Sequence, residues 1–376
     1  MKNKTPQQDG LVRFLDEEGN VRHPLPELDA GLLLRMYRNM VHTRLFDERA
    51  MMLQRQGRIG FFVPSYGEEA TQTATAAVLD PNDWAFPSYR NPGVFLYRGA
   101  GIFEMFCNLF SNEKDLCLGR QMPAHYSFSD LRLFSISSPI ATQVIQAVGA
   151  AMAFKLRKQK QCAITYFGDG GTSENDFHTG MTFAGAYCAP VVFVCTNNQY
   201  AISMPVSRQC GARRLADKAL GYGFPGVAVD GNDVLAVYVA AKEAVERARE
   251  GKGPTMLECV TMRMGPHSSS DDPTRYRDQK ITDEWKKKDP IERFRKYLTN
   301  QKLWSDKKDK ELEEQLKNEL VELAGKAEKV SQPTIESLFD DVYEKLTPQL
   351  EKQRGQLLLE RDLIGKFENS SESFPL

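Results

Sequence analysis

Two short stretches in the middle of the chain carry residue types that could grip a cation and an anion together. Asp169 stands in Gly168-Asp169-Gly170 directly after an apolar run, 162–167, and Asn197-Asn198 closes a second apolar run that begins at Val191. If the two runs are neighbouring parallel strands, their ends lie about 4.8 Å apart, close enough for a carboxylate and an amide oxygen to hold one ion. Hard oxygen donors in a small octahedral site, completed by diphosphate oxygens and water, suit magnesium. Gly170 and Gly171 would let the main chain approach a diphosphate. A helix starting at Ser173 would supply free N–H groups and a favourable dipole. The plain alternative is a tight glycine turn feeding a helix, with Asp169 as its cap. A dinucleotide fingerprint fits less well, because Ser173 stands where the third glycine should be.

A second candidate is His267, the one histidine of the loop 263–277, which is otherwise rich in Gly, Ser, Asp and Arg. Gly265 and Pro266 favour a fixed turn, and imidazole ordinarily titrates near neutrality, which suits proton transfer. The alternative is an exposed loop histidine.

The elements that must position these residues can be read from spacing. The run 162–167, a helix over 173–188 and the run 191–195 form a strand, helix, strand unit, so the fold expected is α/β, a parallel sheet covered by helices, with ligands at the carboxyl ends of the strands. A helix begins near Asp29 and carries Leu33, Met36, Tyr37 and Met40 on one face. Another spans 140–156, where Gly149, Ala150, Ala151 and Ala153 permit either a close subunit contact or ordinary core packing. From Asp283 to about Lys329 the chain is charged and helical, with Leu312, Leu316, Leu320 and Leu323 as a buried stripe. Residues 1–30 read as an extended arm, 31–345 as the α/β domain and 346–376 as a polar tail that lies across a partner.

Composition narrows the partners. Lys plus Arg number 49 against 50 for Asp plus Glu, so no net field favours nucleic acid or an anionic membrane. Seven cysteines, widely spaced and without a C-x-x-C pair, read as reduced thiols in a reducing compartment. The first ten residues lack an apolar core or an Arg-rich amphipathic pattern, and no run reaches the roughly 18 apolar residues of a membrane span. The compartment expected is the cytoplasm, or the mitochondrial matrix for a chain that has lost a transit peptide.

The motif pair, GDG at 168–170 followed by NN at 197–198, resembles the thiamine diphosphate motif. The strings SYGEEAT (65–71), FPSYRNPGVFLYRG (86–99), GRQMPAHYS (119–127), ISSPIATQVIQAVGAA (136–151), NNQYAIS (197–203) and RMGPHSSSDDPTRYR (263–277) resemble, in order, the α subunits of branched-chain 2-oxo acid dehydrogenases. That resemblance implies a thiamine-diphosphate-binding fold and oxidative decarboxylation of branched-chain 2-oxo acids with acyl transfer to a lipoyl group. Pyruvate dehydrogenase α is the nearest alternative.

Carried over by position, the resemblance implies magnesium ligands at Asp169, Asn198 and the Tyr200 main chain. It places Tyr89, Arg90, Gly170 and Gly171 at the diphosphate and Ser138 and Ile140 beside the bent cofactor, with Ile140 under the thiazolium. It gives His267 a catalytic and cofactor-facing role, and assigns a potassium loop to Ser137, Pro139, Thr142 and Gln143. It implies a β subunit, in an α2β2 heterotetramer, that supplies the glutamate activating the pyrimidine, so Glu68 and Glu69 are not that group. A lipoyl acyltransferase is the further partner. Thr196, where some relatives have Arg, puts one diphosphate contact in question. Ser88 and Pro266 also depart from the pattern of relatives, away from the metal ligands.

Overall fold

The computed structural model describes residues 7, 8, 10–340 and 342–368. Its strands are β1 (Gln7–Gln8), β2 (Leu11–Val12), β3 (Trp84–Phe86), β4 (Ala163–Gly168), β5 (Val191–Asn197), β6 (Tyr200–Ala201), β7 (Met204–Pro205), β8 (Gly226–Asp230) and β9 (Thr255–Val260). Seven of them form one sheet in the order β1-β2-β8-β9-β5-β4-β3, with all pairings parallel except β1 with β2; β6 and β7 make a separate hairpin. The α/β sheet expected from the sequence is therefore the fold.

The helices are α1 (Ala30–Arg55), α2 (Glu69–Ala77), α3 (Pro92–Tyr97), α4 (Ile102–Phe110), α5 (Thr142–Leu156), α6 (Asn175–Ala186), α7 (Val234–Arg249), α8 (Gln279–Lys286), α9 (Pro290–Asn300), α10 (Asp306–Glu328) and α11 (Pro348–Glu368). Strand β5 shows why the central strands read as unbroken apolar runs. Its Val191, Phe193 and Cys195 enter a core with residues of α5 and α6, while Val192 and Val194 enter a core on the other face with residues of α1, α2 and α7. Side chains alternate between faces, and both faces are covered.

Several boundaries differ from the expectation. Helix α5 starts at Thr142 rather than at residue 140, because Pro139 precedes and Ala141 adopts a left-handed conformation (φ 68°). Helix α6 starts at Asn175, after a 3-10 turn over Asp169–Ser173. The stretch expected as one charged helix is three, α8, α9 and α10, broken before Pro290 and at the Ser305 cap, whose hydroxyl accepts from the Lys308 amide. Leu312, Leu316 and Leu320 are buried and Leu323 is partly so. In α5, Ala147 and Ala151 belong to the core, whereas Gly149 faces open space.

Part of the segment read as an arm is locked to the sheet. Phe14 and Leu15 are buried, and both their amides donate to Asp233 Oδ2 at 2.7 Å, while Oδ1 of the same carboxylate caps α7. Residues 348–368 of the segment read as a tail are the helix α11.

Candidate cofactor site at the carboxyl edge of the sheet

Because β3, β4, β5 and β9 run parallel, their carboxyl ends open on one edge, and the loops leaving them surround a cavity of about 270 Å³. Register pairs Gly168 of β4 with Thr196 of β5, which sets Asp169 beside the Asn197-Asn198 pair. The cavity brings together Tyr89, Arg90, Ile140, Asp169, Gly170, Gly171, Asn198, Tyr200 and His267, along with Ser137, Pro139 and Gln143. Ser138 and Thr142 are not in its wall. The Ser138 hydroxyl instead lies 2.6 Å from His125 Nε2, and His125 Nδ1 is 3.1 Å from the Pro123 carbonyl oxygen, so Ser138 donates to the imidazole.

Each oxygen-bearing candidate is held from behind. Asp169 Oδ2 accepts from Gln209 Nε2 at 2.6 Å, Asn198 Nδ2 donates to Glu68 Oε1 at 2.7 Å, and the Tyr200 carbonyl accepts from Arg263 Nη1 at 2.9 Å. Burial raises the pKa of Asp169 above the usual carboxylate range, with the Gln209 hydrogen bond opposing it. Glu68, 1% exposed, is pushed by burial up to about 7, against the pull of Arg90 and Asn198. A divalent cation would stabilise the ionised form of both. Carboxylate, amide oxygen and main-chain carbonyl form a donor set of the hard kind that magnesium accepts, so the residues present fit that ion.

The glycine turn is tightly enclosed. A Cβ on Gly170 would meet the Ala201 Cβ at 2.7 Å, and one on Gly171 would meet the Phe167 Cβ at 3.2 Å. The first amides of a short 3-10 turn are not consumed by its own ladder, which leaves donors for an anion here rather than at the expected start, Ser173. Ile140 is 42% exposed in the cavity wall, so it is not a core residue.

His267 is set differently from a freely titrating imidazole. Burial, then the neighbouring Arg90 and Arg263 guanidinium groups, push its pKa down to about 3. Arg90 Nη2 donates to the His267 carbonyl at 2.8 Å and stands 3.1 Å from Nδ1. Since arginine only donates, Nδ1 accepts and the proton of the neutral ring sits on Nε2. The His267 amide donates to Asp271 Oδ2 at 2.7 Å, which fixes the turn.

Reading the sequence did not single out Arg263, Gln209, Glu174 or His125, and it set Glu68 aside. Glu68 had a signal, an acid pair at the start of a helix of Ala and Thr, where burial is expected and a partner must follow. Gln209 had none: it lies 40 residues from Asp169 in sequence and only folding joins them.

A family model described as dehydrogenase E1 component matches residues 37–336. The chain is 40% identical to 2-oxoisovalerate dehydrogenase subunit alpha 2, mitochondrial, of Arabidopsis thaliana, over 97% of this chain and 77% of that protein. It is 42% identical to subunit alpha 1 of the same plant enzyme, over 91% and 73%. It is equally 42% identical to the pyruvate dehydrogenase E1 component subunit alpha of Staphylococcus aureus, over 93% of both chains.

Proposed function

The chain belongs to the dehydrogenase E1 component family, as the α subunit of a thiamine-diphosphate-dependent 2-oxo acid dehydrogenase, and from that premise we propose that it serves the oxidative decarboxylation of branched-chain 2-oxo acids with acyl transfer to a lipoyl group. The observation that carries the cofactor reading is the convergence of Asp169, Asn198 and Tyr200 with Tyr89, Arg90, Ile140 and His267 on one cavity. Magnesium would be held by the Asp169 carboxylate, the Asn198 amide oxygen and the Tyr200 carbonyl. The Gly170 and Gly171 main chain, with Tyr89 and Arg90, would bind the diphosphate. Ile140 and Ser138 would flank the bent cofactor, and Ser137, Pro139, Thr142 and Gln143 would bind potassium.

Bound there, thiamine diphosphate supplies a carbon nucleophile that then serves as an electron sink for decarboxylation. The chain's own contribution is to hold the diphosphate end rigidly, exclude water, and offer the Nε2–H of His267 as a neutral donor to developing negative charge. A β subunit in an α2β2 assembly supplies the acid at the pyrimidine, and a lipoyl acyltransferase takes the acyl group. Nucleic acid has no role, given the balanced charge. Among the described residues no helix is long and apolar enough to cross a membrane, and we place the assembly in the cytoplasm or, in eukaryotes, the mitochondrial matrix.

The branched-chain assignment rests on the stretches 119–127 and 137–143 and on the plant relatives. Pyruvate is the second reading, favoured by the bacterial relative that matches nearly end to end. One methylene in an apolar pocket is worth only about 1–3 kcal/mol, so the preference is a ratio rather than an exclusion. The test is kcat/KM of the assembled enzyme on 3-methyl-2-oxobutanoate, 4-methyl-2-oxopentanoate and pyruvate. The branched acids are expected to lead, and a lead for pyruvate reverses the assignment.

A further inference from the structure

Asn197 and Asn198 are consecutive, yet each amide is held by a different buried glutamate. Asn197 Nδ2 donates to Glu258 Oε1 at 2.7 Å, and Glu258 Oε2 accepts from the Ala216 amide at 2.9 Å. Asn198 Nδ2 donates to Glu68 Oε1, also at 2.7 Å. Only the second asparagine lines the cavity.

Glu68 is placed with little freedom. It follows Gly67, whose φ of 93° and whose contact with the Met262 carbonyl, 2.3 Å from where a Cβ would be, seat the turn against the chain leaving β9. Glu68 is the residue before α2, but its side chain makes no capping bond to the helix. It turns instead to Asn198, with Arg90 Nε 3.9 Å from the same oxygen. In its ionised form, which the nearby Arg90 guanidinium favours, Glu68 accepts and does not donate, so the amide end facing it is NH2 and Oδ1 is at the other end. That oxygen also accepts from the Tyr200 amide, but at 3.3 Å against 2.7 Å for the bond to Glu68, so Glu68 is the closer of the two partners that hold the orientation. The two ends of an asparagine amide have nearly the same shape and without partners of fixed polarity would exchange by rotation. One orientation offers a cation an oxygen; the other offers it two hydrogens.

Resting on the cofactor reading above, we propose that Glu68 is a positioning residue that fixes the Asn198 amide with its oxygen available to the metal, and so sets the affinity of this site for a divalent cation. Groups behind the ligands commonly set metal affinity by 10- to 100-fold. Gln209 behind Asp169 is the companion on the other strand.

The test is calorimetric titration of magnesium into the enzyme assembled with its β subunit, at saturating thiamine diphosphate, with circular dichroism as the check on folding. Glu68→Met, close in volume but unable to accept, should weaken magnesium binding about 10- to 100-fold. Glu68→Gln keeps an acceptor oxygen but can also turn its own NH2 toward Asn198, so it should retain part of the parental affinity and lose less than Glu68→Met. Asn198→Asp presents oxygen whichever way it turns, so adding Glu68→Met to it should cause no further loss. Parental affinity in Glu68→Met, or the full loss repeated in the Asn198→Asp background, would each overturn the proposal. A parent enzyme that takes up neither magnesium nor thiamine diphosphate would overturn both this inference and the reading beneath it.

Discussion

Arginine cannot accept a hydrogen bond, so Arg90 at 3.1 Å from His267 Nδ1 decides which nitrogen of that ring carries the proton. With the pKa pushed down to about 3, the imidazole is neutral at neutral pH. In the cofactor-free chain, nitrogen NMR of labelled histidine should show the Nε2–H tautomer at His267 from pH 8 down to about 5, while an ordinary imidazole titrates near 6.5. A midpoint near 6.5 would remove the assignment. His267→Ala should lower turnover of the assembled enzyme about 10²–10⁴-fold and change cofactor affinity only modestly, since the ring does not hold Asp169 or Asn198. Asp47 is a second residue with a readable sign. It is fully buried on α1, its Oδ2 accepts from the Ser65 amide and hydroxyl, and its Oδ1 meets no partner. Burial pushes its pKa up to about 8, so between about pH 4 and 8 the folded chain keeps a proton that the unfolded chain releases. The stabilisation is complete below the unfolded value and is lost as pH rises through the folded one, at up to about 1.4 kcal/mol per pH unit. Urea unfolding of Asp47→Asn and parent should therefore show the parent losing its relative advantage from pH 4.5 to 8; a pH-independent difference would mean that Asp47 remains ionised.

At the scale of elements, what was legible in the sequence was what repeats. The unbroken apolar runs of β4 and β5, each leading to a polar end, revealed strands covered on both faces, and the Leu312–Leu316–Leu320 stripe revealed one buried face of α10. What was hidden depended on single side chains far apart in sequence. The N-terminal residues carry no periodicity, yet Arg13 Nε meets Asp230 Oδ2 at 2.8 Å, and Arg293 Nη1 from α9 reaches the same oxygen at 3.0 Å. Arg293 is only 1% exposed, so this carboxylate keeps a buried guanidinium paired while tying the first strand region, β8 and α9 together. The two arginines hold Asp230 below the usual carboxylate range despite its burial. Asp230→Ala would leave Arg293 buried with its close partner gone, a change that costs about 3–5 kcal/mol. Denaturant unfolding should show a loss of that order, and a loss below about 1 kcal/mol would mean that water or Glu17, 3.8 Å from Arg293, takes over the pairing. The site divides in the same way. Asp169 and the Asn pair were legible because their types recur at strand ends, while Glu68, Gln209 and Arg263, which hold them, were not.

For the whole molecule the question is whether this chain holds a complete active site. The acids in the cavity wall are Glu68, Asp169 and Glu174. Glu68 is bonded to Asn198 and lies near Arg90, Asp169 is bonded to Gln209, and Glu174 stands at the start of α6. The first two are engaged at the proposed metal site. Around the same region large apolar side chains stand open to solvent, Ile140 at 42%, Ile202 at 55% and Met204 at 45%. Phe183 of α6 and Tyr187, the residue capping its end, stack at 5.9 Å, both exposed. Large apolar side chains left open in the wall of a site, as Ile140 and Ile202 are, fit a surface that a partner covers. The expected outcome is that the purified α chain turns over 2-oxo acids at least about 10²-fold more slowly than the mixture with its β subunit, the rate loss typical of a missing acid–base group. Steady-state assays with a lipoylated acceptor, run beside sedimentation of the same samples, would measure activity and assembly together. Activity appearing only as the heavier species forms is the result expected, and full turnover by the α chain alone would mean that an acid of its own serves the pyrimidine end.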